Sequence, residues 1–234
     1  MPALGASLAT PGAVGVASDL VKVPAGRVRM LPVHADLAGL FPWGGLRRGS
    51  TVSVRGSTSL LLALLAAPTV GDSWAAVVGM PELGVLAAAE LGVAVDRLAL
   101  VRHPGAELPA VIAALLDGMD LVVTPRARLT DAQARRLSAR ARHRGAVLLT
   151  AGAWPGADLE LRCARAGWDG IGDGHGYLAC REVTVETRGR GAASRPVRAA
   201  LRLPAPGGGI AASAPDNLLP AKGFRPSERS LRPA

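Results

Sequence analysis

The residues with the clearest chemical potential form a small loop, Gly56-Ser57-Thr58-Ser59, between a Val-rich stretch at 50–55 and a Leu-rich stretch. A working phosphate loop has a glycine, four residues and then Gly-Lys-Ser/Thr, so that backbone N–H groups and the lysine hold phosphates and the hydroxyl holds Mg²⁺. Counted from Gly56, the second glycine and the lysine are replaced by Leu61 and Leu62. The hydroxyl residues still suit a helix cap that attracts an anion weakly. The pattern predicts a degenerate phosphate loop and no nucleotide cofactor.

A nucleotide site also needs a carboxylate for Mg²⁺ at the carboxyl end of a second parallel strand. The candidate strand is 120–124, but its acid, Asp120, lies at the amino end, away from the edge where open α/β sheets bind ligands. Glu82 has the place of a water-activating glutamate. Without a lysine or a metal carboxylate we expect it to be a first-turn acid of a helix over 82–92. No catalytic residue is predicted.

Three other residues are candidates for metal or redox chemistry. Cys163 and Cys180 have neither metal-ligand spacing nor a disulfide framework, so we expect both to be reduced and buried. His175 lies within Gly-Asp-Gly-His-Gly, a composition typical of a turn. The sequence predicts no metal site.

Composition favours one α/β domain. The chain has 234 residues, 49% of them hydrophobic and only 3% aromatic, which indicates a core of Ala, Val and Leu with helices packed on a parallel sheet. No apolar run reaches membrane-spanning length and no secretory segment is evident, so we expect a cytoplasmic protein without membrane contact.

The order of apolar segments predicts the fold class. Strands are predicted at 50–55, 74–78, 98–102, 120–124 and 146–150, and helices at 58–67, 82–92, 107–117 and 130–144. This alternation implies a mostly parallel sheet flanked by helices. Period-two patterns at 159–164, 177–187 and 197–203 predict an antiparallel C-terminal extension.

The ends of the chain differ from this core. Residues 1–27 are predicted to be a poorly ordered N-terminal arm, 28–204 the core, and 205–234 a disordered basic tail. An apolar pair in the tail, Leu218 and Leu219, is followed by Lys222 and Arg225, which together suit docking to a partner.

Positive charge is concentrated in two segments. The net charge is +9, and residues 126–144 carry seven arginines against Asp131, while 181–234 carry ten basic residues against four acids. The predicted partner or DNA contacts on the helix are Arg135, Arg136, Arg140, Arg142 and Arg144. A solvated helix face is the alternative. Without interleaved aromatics we expect weak, sequence-independent DNA binding at most.

Several segments resemble one family. Gly44-Gly-Leu-Arg-Arg-Gly, followed by a Val-rich strand and a Gly-containing loop, is similar to the entry to the RecA ATPase core. The run 91–101, with Leu-Gly-Val-Ala-Val-Asp, resembles RecA's helix end and next strand, and 120–123 resembles the strand of the second nucleotide motif. Segments 182–186 and 192–204 resemble the late antiparallel strands. The likeness covers about 40–204 and implies a RecA-like core.

Small RecA-like chains without a nucleotide site resemble the ImuA group, in particular its short actinobacterial branch. That resemblance implies a non-catalytic accessory protein of SOS mutagenesis, a DNA-damage response, with an ImuB-type Y-family polymerase homologue and an error-prone C-family polymerase as partners in translesion synthesis. The alternatives are a SulA-like cell-division inhibitor that binds FtsZ and an atypical NTPase using Ser57, Thr58 and Glu82. Fold likeness does not separate them.

Overall fold

The computed structural model of the protein describes residues 30–126, 129–172, 175–213 and 218–220. The arm predicted over 1–27, together with Lys222 and Arg225 of the predicted tail, lies outside these ranges.

The described residues form five helices and twelve strands. The helices are α1 (Ala35–Ala38), α2 (Thr58–Val70), α3 (Val85–Glu90), α4 (Leu108–Gly118) and α5 (Asp131–Arg144). The strands are β1 (Met30–Leu31), β2 (Leu46–Arg47), β3 (Thr51–Arg55), β4 (Ala75–Val78), β5 (Leu98–Val101), β6 (Leu121–Pro125), β7 (Val147–Ala151), β8 (Leu159–Gly172), β9 (His175–Gly189), β10 (Val197–Arg202), β11 (Ala211–Ala212) and β12 (Leu218–Pro220).

One large sheet organises the molecule. Its strand order is β11-β10-β9-β8-β3-β7-β6-β4-β5, and β12 also pairs with β10. Six neighbouring strands run parallel to one another: β8, β3, β7, β6, β4 and β5. In the rest of the sheet β8 and β9, β9 and β10, and β10 and β11 pair antiparallel. The predicted fold class, a mostly parallel α/β sheet with an antiparallel C-terminal extension, is therefore confirmed.

Helices cover the two faces of the parallel part. α2 and α3 pack with Leu37 and Leu40 on one face, and α4 and α5 pack with Trp154 on the other. The run Leu60–Ala66 of α2 is buried throughout, as expected for a helix that is apolar on every side. Strands such as β4 and β6 are buried on both faces, which explains why their sequences are continuous apolar runs instead of alternating ones.

Local sequence signals fix α5 most clearly. The Thr130 side chain accepts a hydrogen bond from the Gln133 N–H, and the Gln133 side chain accepts one from the Thr130 N–H, which is the predicted capping box. Gly145 ends the helix in the left-handed conformation at φ 70°. The prediction of this helix from capping residue to stop is confirmed.

The expectation for Glu82 is wrong. α3 begins at Val85, with Gly84 as its N-cap, so Glu82 lies exposed in the turn after β4 and not in a first helical turn. The Leu83 N–H donates to the Met80 carbonyl and closes that turn before the helix starts. The favourable interaction with a helix dipole that was expected for Glu82 does not arise.

The core also extends past the predicted boundary at 204. Ile210 is buried against the core, the Gly209 N–H donates to the Glu90 carbonyl at 2.8 Å, and β11 pairs with β10. Disorder is therefore the wrong prediction for 205–213, and also for Leu218 and Leu219, which lie in β12 and pair with β10. The glycines favour this packing, because Gly208, at φ 96°, comes so close to α3 that a Cβ there would lie 3.0 Å from the Glu90 oxygen.

Candidate functional site

A cavity opens at the point in the sheet where the chain changes direction. From β3 the chain passes through α2 to β4 on one side, and from β7 it crosses to β8 on the other, so the carboxyl ends of β3 and β7 form a topological switch point. Open α/β sheets bind their ligands at such points. The cavity has a volume of about 400 Å³. It is lined by Val54, Gly56, Ser57, Thr58, Ser59, Leu61, Ala151, Gly152 and Arg181.

The predicted degenerate loop forms one wall of this cavity. α2 starts at Thr58, and the Ser57 side chain caps it by accepting a hydrogen bond from the Leu60 N–H at 3.1 Å. Gly56 adopts φ 83°, and a Cβ there would lie 3.2 Å from the Cys163 carbonyl oxygen. The chain therefore turns from β3 into the helix within two residues, and no extended loop remains to wrap a phosphate chain.

The two leucines at the missing glycine and lysine positions lie in the core. Leu61 is 1% exposed and Leu62 is 3% exposed, both on α2. Their burial explains why the helix can start so early, since each adds apolar area to the interface with the sheet. The positions that a phosphate loop would fill with glycine and lysine are therefore part of the core in this protein.

The thiol of Cys163 lies beside the cavity. Burial raises the pKa of this thiol, while a hydrogen bond with Ser57 and the charge of Arg181 oppose that rise. The net upward shift keeps the thiol protonated at neutral pH, which makes it a weak nucleophile. Cys163 is half-buried and Cys180 is buried, and both are free cysteines, so the expectation of reduced, buried thiols is met fully for Cys180 only.

Arg181 supplies the cation of the cavity, a role that the sequence analysis missed. Its guanidinium carbon lies 5.7 Å from the centre of the Trp168 ring. The described lining residues include no lysine, histidine or carboxylate. The polar groups that line the cavity are serine and threonine hydroxyls, backbone groups and one guanidinium. This set of groups suits a weakly held anion and contains no general base.

Asp120 lies at the opposite edge of the sheet, as predicted. Its Oδ1 is 2.9 Å from Arg48 Nη1, and its Oδ2 accepts a hydrogen bond from the Trp74 N–H at 2.9 Å. The carboxylate is 4% exposed and ties the start of β6 to the residue before β4. It is a structural group, far in the topology from the cavity at the carboxyl ends.

No group of three or more metal-ligating side chains occurs among the residues that the structure describes. His175 is the first residue of β9 and pairs with Gly172 of β8, so it lies in a strand and not in the turn expected from its sequence. Within the described part of the chain, no helix is long and apolar enough to cross a bilayer.

The five arginines proposed on α5 divide into separate groups. Arg140 and Arg144 both contact Asp117, at 2.8 Å and 3.0 Å from Oδ1. The hydrogen bond from Arg140 lowers the pKa of Asp117, and that carboxylate raises the pKa of Arg140. Within the described residues Arg135 and Arg136 are exposed without an ion pair, while Arg142 Nη2 lies 4.0 Å from Asp158. Three of the five are therefore better placed for external contacts.

Residues 39–156 match the family model described as the MT3502 N-terminal domain. The chain belongs to this family. The match begins before β2 and ends in the crossing after β7, so it contains the degenerate loop, Asp120 and α5. The MT3502 N-terminal domain thus ends before the strands β8 to β12 of this chain.

One relative matches about half of this chain. The uncharacterized protein Rv3395c of Mycobacterium tuberculosis (strain ATCC 25618 / H37Rv) is 42% identical over 124 residues, which are 52% of this chain and 61% of the relative. The chain thus spans about 61% of the length of the curated relative that it matches.

Proposed function

We propose that this MT3502 N-terminal-domain protein is a non-catalytic, RecA-like accessory protein of damage-induced mutagenic translesion DNA synthesis. The observation that carries the proposal is the switch-point cavity, where a nucleotide-binding α/β protein has its phosphate loop but where this chain has a two-residue turn and buried Leu61 and Leu62. Such a protein acts through its surfaces and not through turnover.

The RecA-like assignment draws on the segments 44–49, 91–101 and 182–204, which resemble the RecA core. The observed sheet supports it, because the loop-bearing strand β3 is central, with parallel neighbours on both sides and antiparallel strands beyond β8. Short chains of this kind resemble the ImuA group. The partners that this resemblance implies are an ImuB-type Y-family polymerase homologue and an error-prone C-family polymerase.

The first test is nucleotide binding. We expect ATP with Mg²⁺ at millimolar concentration to leave the melting temperature unchanged, because the loop has no lysine and the carboxylate Asp120 lies at the wrong edge of the sheet. A ligand at 100 times its Kd would stabilise the fold by about 2.7 kcal/mol, which a melting experiment resolves easily. A Mg²⁺-dependent rise in melting temperature would instead favour an NTPase that uses Ser57, Thr58 and Glu82.

The second test is partner docking. We expect removal of 221–234, which contains Lys222 and Arg225, to abolish association with an ImuB-like protein in a pull-down, because these cations are predicted partner contacts. The cut after Pro220 keeps 205–213 and β12, which pair with the folded sheet, so the melting temperature should stay the same.

A charge-reversal variant of the full chain, Arg135→Glu with Arg136→Glu, tests the predicted contacts on α5, and it should retain the partner if docking depends on 221–234. If this variant loses the ImuB-like protein while the truncated chain keeps it, α5 is the docking surface instead. Capture of FtsZ by the full chain would replace the translesion proposal with a cell-division inhibitor.

A further inference from the structure

Charge is distributed unevenly across the sheet. Residues 72–107, which contain β4, α3 and the edge strand β5, carry five acids and two arginines. Arginines dominate the other half, from β3 to β10 together with α5. Such a charge dipole orients a molecule in the field of a polyanion before contact is made.

Two arginine side chains and the backbone of a third arginine, from distant segments, contact Asp158 at the amino edge of the basic half. Arg47 Nη2 lies 3.4 Å and Arg142 Nη2 lies 4.0 Å from Asp158 Oδ1. The Arg190 N–H donates to the Asp158 carbonyl at 3.2 Å. Arg190 is exposed, and we name Arg47, Arg142 and Arg190 the arginine corner.

Asp158 neutralises the positive charge of these arginines only in part. Its Oδ2 already accepts a hydrogen bond from the Thr51 N–H at 2.9 Å, and a single carboxylate serves two guanidinium groups. The side chains of Arg47 and Arg142 are 44% and 63% exposed, so their charged ends reach solvent.

The corner is also partly preorganised. The Arg47 guanidinium carbon lies 4.5 Å from the centre of the Trp43 ring, a cation–π contact that limits the rotamers of Arg47. Less side-chain entropy is then lost when an anion binds. Arg47 lies over one face of the Trp43 ring, and Trp43 also packs against the apolar core.

We propose that the arginine corner binds the phosphate backbone of duplex DNA without reading its sequence. Arginines favour phosphate through paired N–H donors, and a contact without base stacking suits a duplex better than a single strand. A protein partner is disfavoured, because interfaces between proteins have an apolar centre, and the exposed large apolar side chains among the described residues lie outside the corner. The inference deepens the proposed function, since translesion synthesis takes place on DNA.

The test measures binding of the full chain to a 30-base-pair duplex by fluorescence anisotropy over a range of salt concentrations. The variant Arg142→Gln with Arg190→Gln should bind at least 10-fold more weakly in 50 mM salt, and its slope of log K against log salt should fall by about 2, since each phosphate contact contributes about 0.9. Arg142→Lys with Arg190→Lys should keep the slope. The charge-matched control, Arg102→Gln with Arg202→Gln, lies outside the corner and should bind as the unaltered chain does.

Equal losses in the corner and control variants would overturn the proposal, as would no binding to the duplex at low salt. Binding of an acidic polypeptide such as poly-glutamate in place of DNA would assign the corner to an acidic protein. Melting curves identify a variant that fails to fold, and in that case the single change Arg142→Gln, which should lower the slope by about 1, keeps the test decisive. A negative result in the DNA-binding experiment does not change the nucleotide-binding and pull-down results. The proposal for the arginine corner and the proposed accessory function can therefore be refuted separately.

Discussion

Replacing Asp120 with alanine is expected to destabilise the protein by about 3–5 kcal/mol, the loss typical when one partner of a buried ion pair is removed. Arg48 is only 14% exposed at its side chain, and its Nε has no hydrogen-bond partner among the described residues, so without Asp120 the guanidinium would stay buried and poorly paired. The Trp74 N–H would also lose its acceptor. Urea unfolding followed by circular dichroism measures the change.

Asp117→Ala is the matched control, because it removes the same charge from a carboxylate that also contacts arginine. Asp117 is 32% exposed at its side chain, and its pairs with Arg140 and Arg144 lie at the surface, so the loss should stay within about 1 kcal/mol. The pKa of Asp117 is lowered, so its contribution is present above the ordinary value of 3.8 and fades as the pH falls below it. Equal losses for the two variants would contradict a special structural role for Asp120.

Local signals were sufficient for much of the fold. Thr130, Gln133 and Gly145 specify where α5 begins and ends, because capping depends on residues within one turn. The apolar runs of β4, β6 and β7 predicted a parallel sheet, since strands covered on both faces have such sequences. The position of Asp120 followed from the same reasoning about strand ends.

Contacts between distant segments were not predictable in this way. Residues 205–213 have the Gly and Pro content of a loop, and only the packing of Ile210 and the Gly209 contact with α3 show them to be part of the core. The start of α3 was predicted too early, because residues from Met80 to Leu83 form a hydrogen-bonded turn although their sequence fits a helical pattern.

The cavity and the basic surface show the same limit. Arg181 lies on β9, and the alternation of polar and apolar residues in that strand does not indicate a cavity. Its side chain lines the same cavity as the loop after β3 because of the order of the strands in the sheet. Arg47 and Arg190 are more than 140 positions apart in the sequence, and both contact Asp158, Arg47 through its side chain and Arg190 through its backbone N–H. The number of arginines in the sequence indicated that α5 is basic, but it did not indicate that Arg47 and Arg190 lie near this helix.

Installing the missing lysine tests whether the phosphate loop is degenerate in geometry as well as in sequence. Leu62→Lys should destabilise the protein by about 4 kcal/mol or more, because position 62 is 3% exposed and an unpaired ammonium would replace packed apolar surface there. ATP with Mg²⁺ should give no stabilisation of this variant, since α2 has already started at Thr58 and directs position 62 into the core.

Val70→Lys provides the control on the same helix. Val70 is 70% exposed in the last turn of α2, where a cation interacts favourably with the helix dipole, so this change should alter stability by no more than about 0.5 kcal/mol. Both variants are measured by urea unfolding and by melting with and without ATP and Mg²⁺. A Leu62→Lys protein of normal stability that gains ATP-dependent stabilisation would show that the loop keeps the geometry of a nucleotide site and lacks only its lysine.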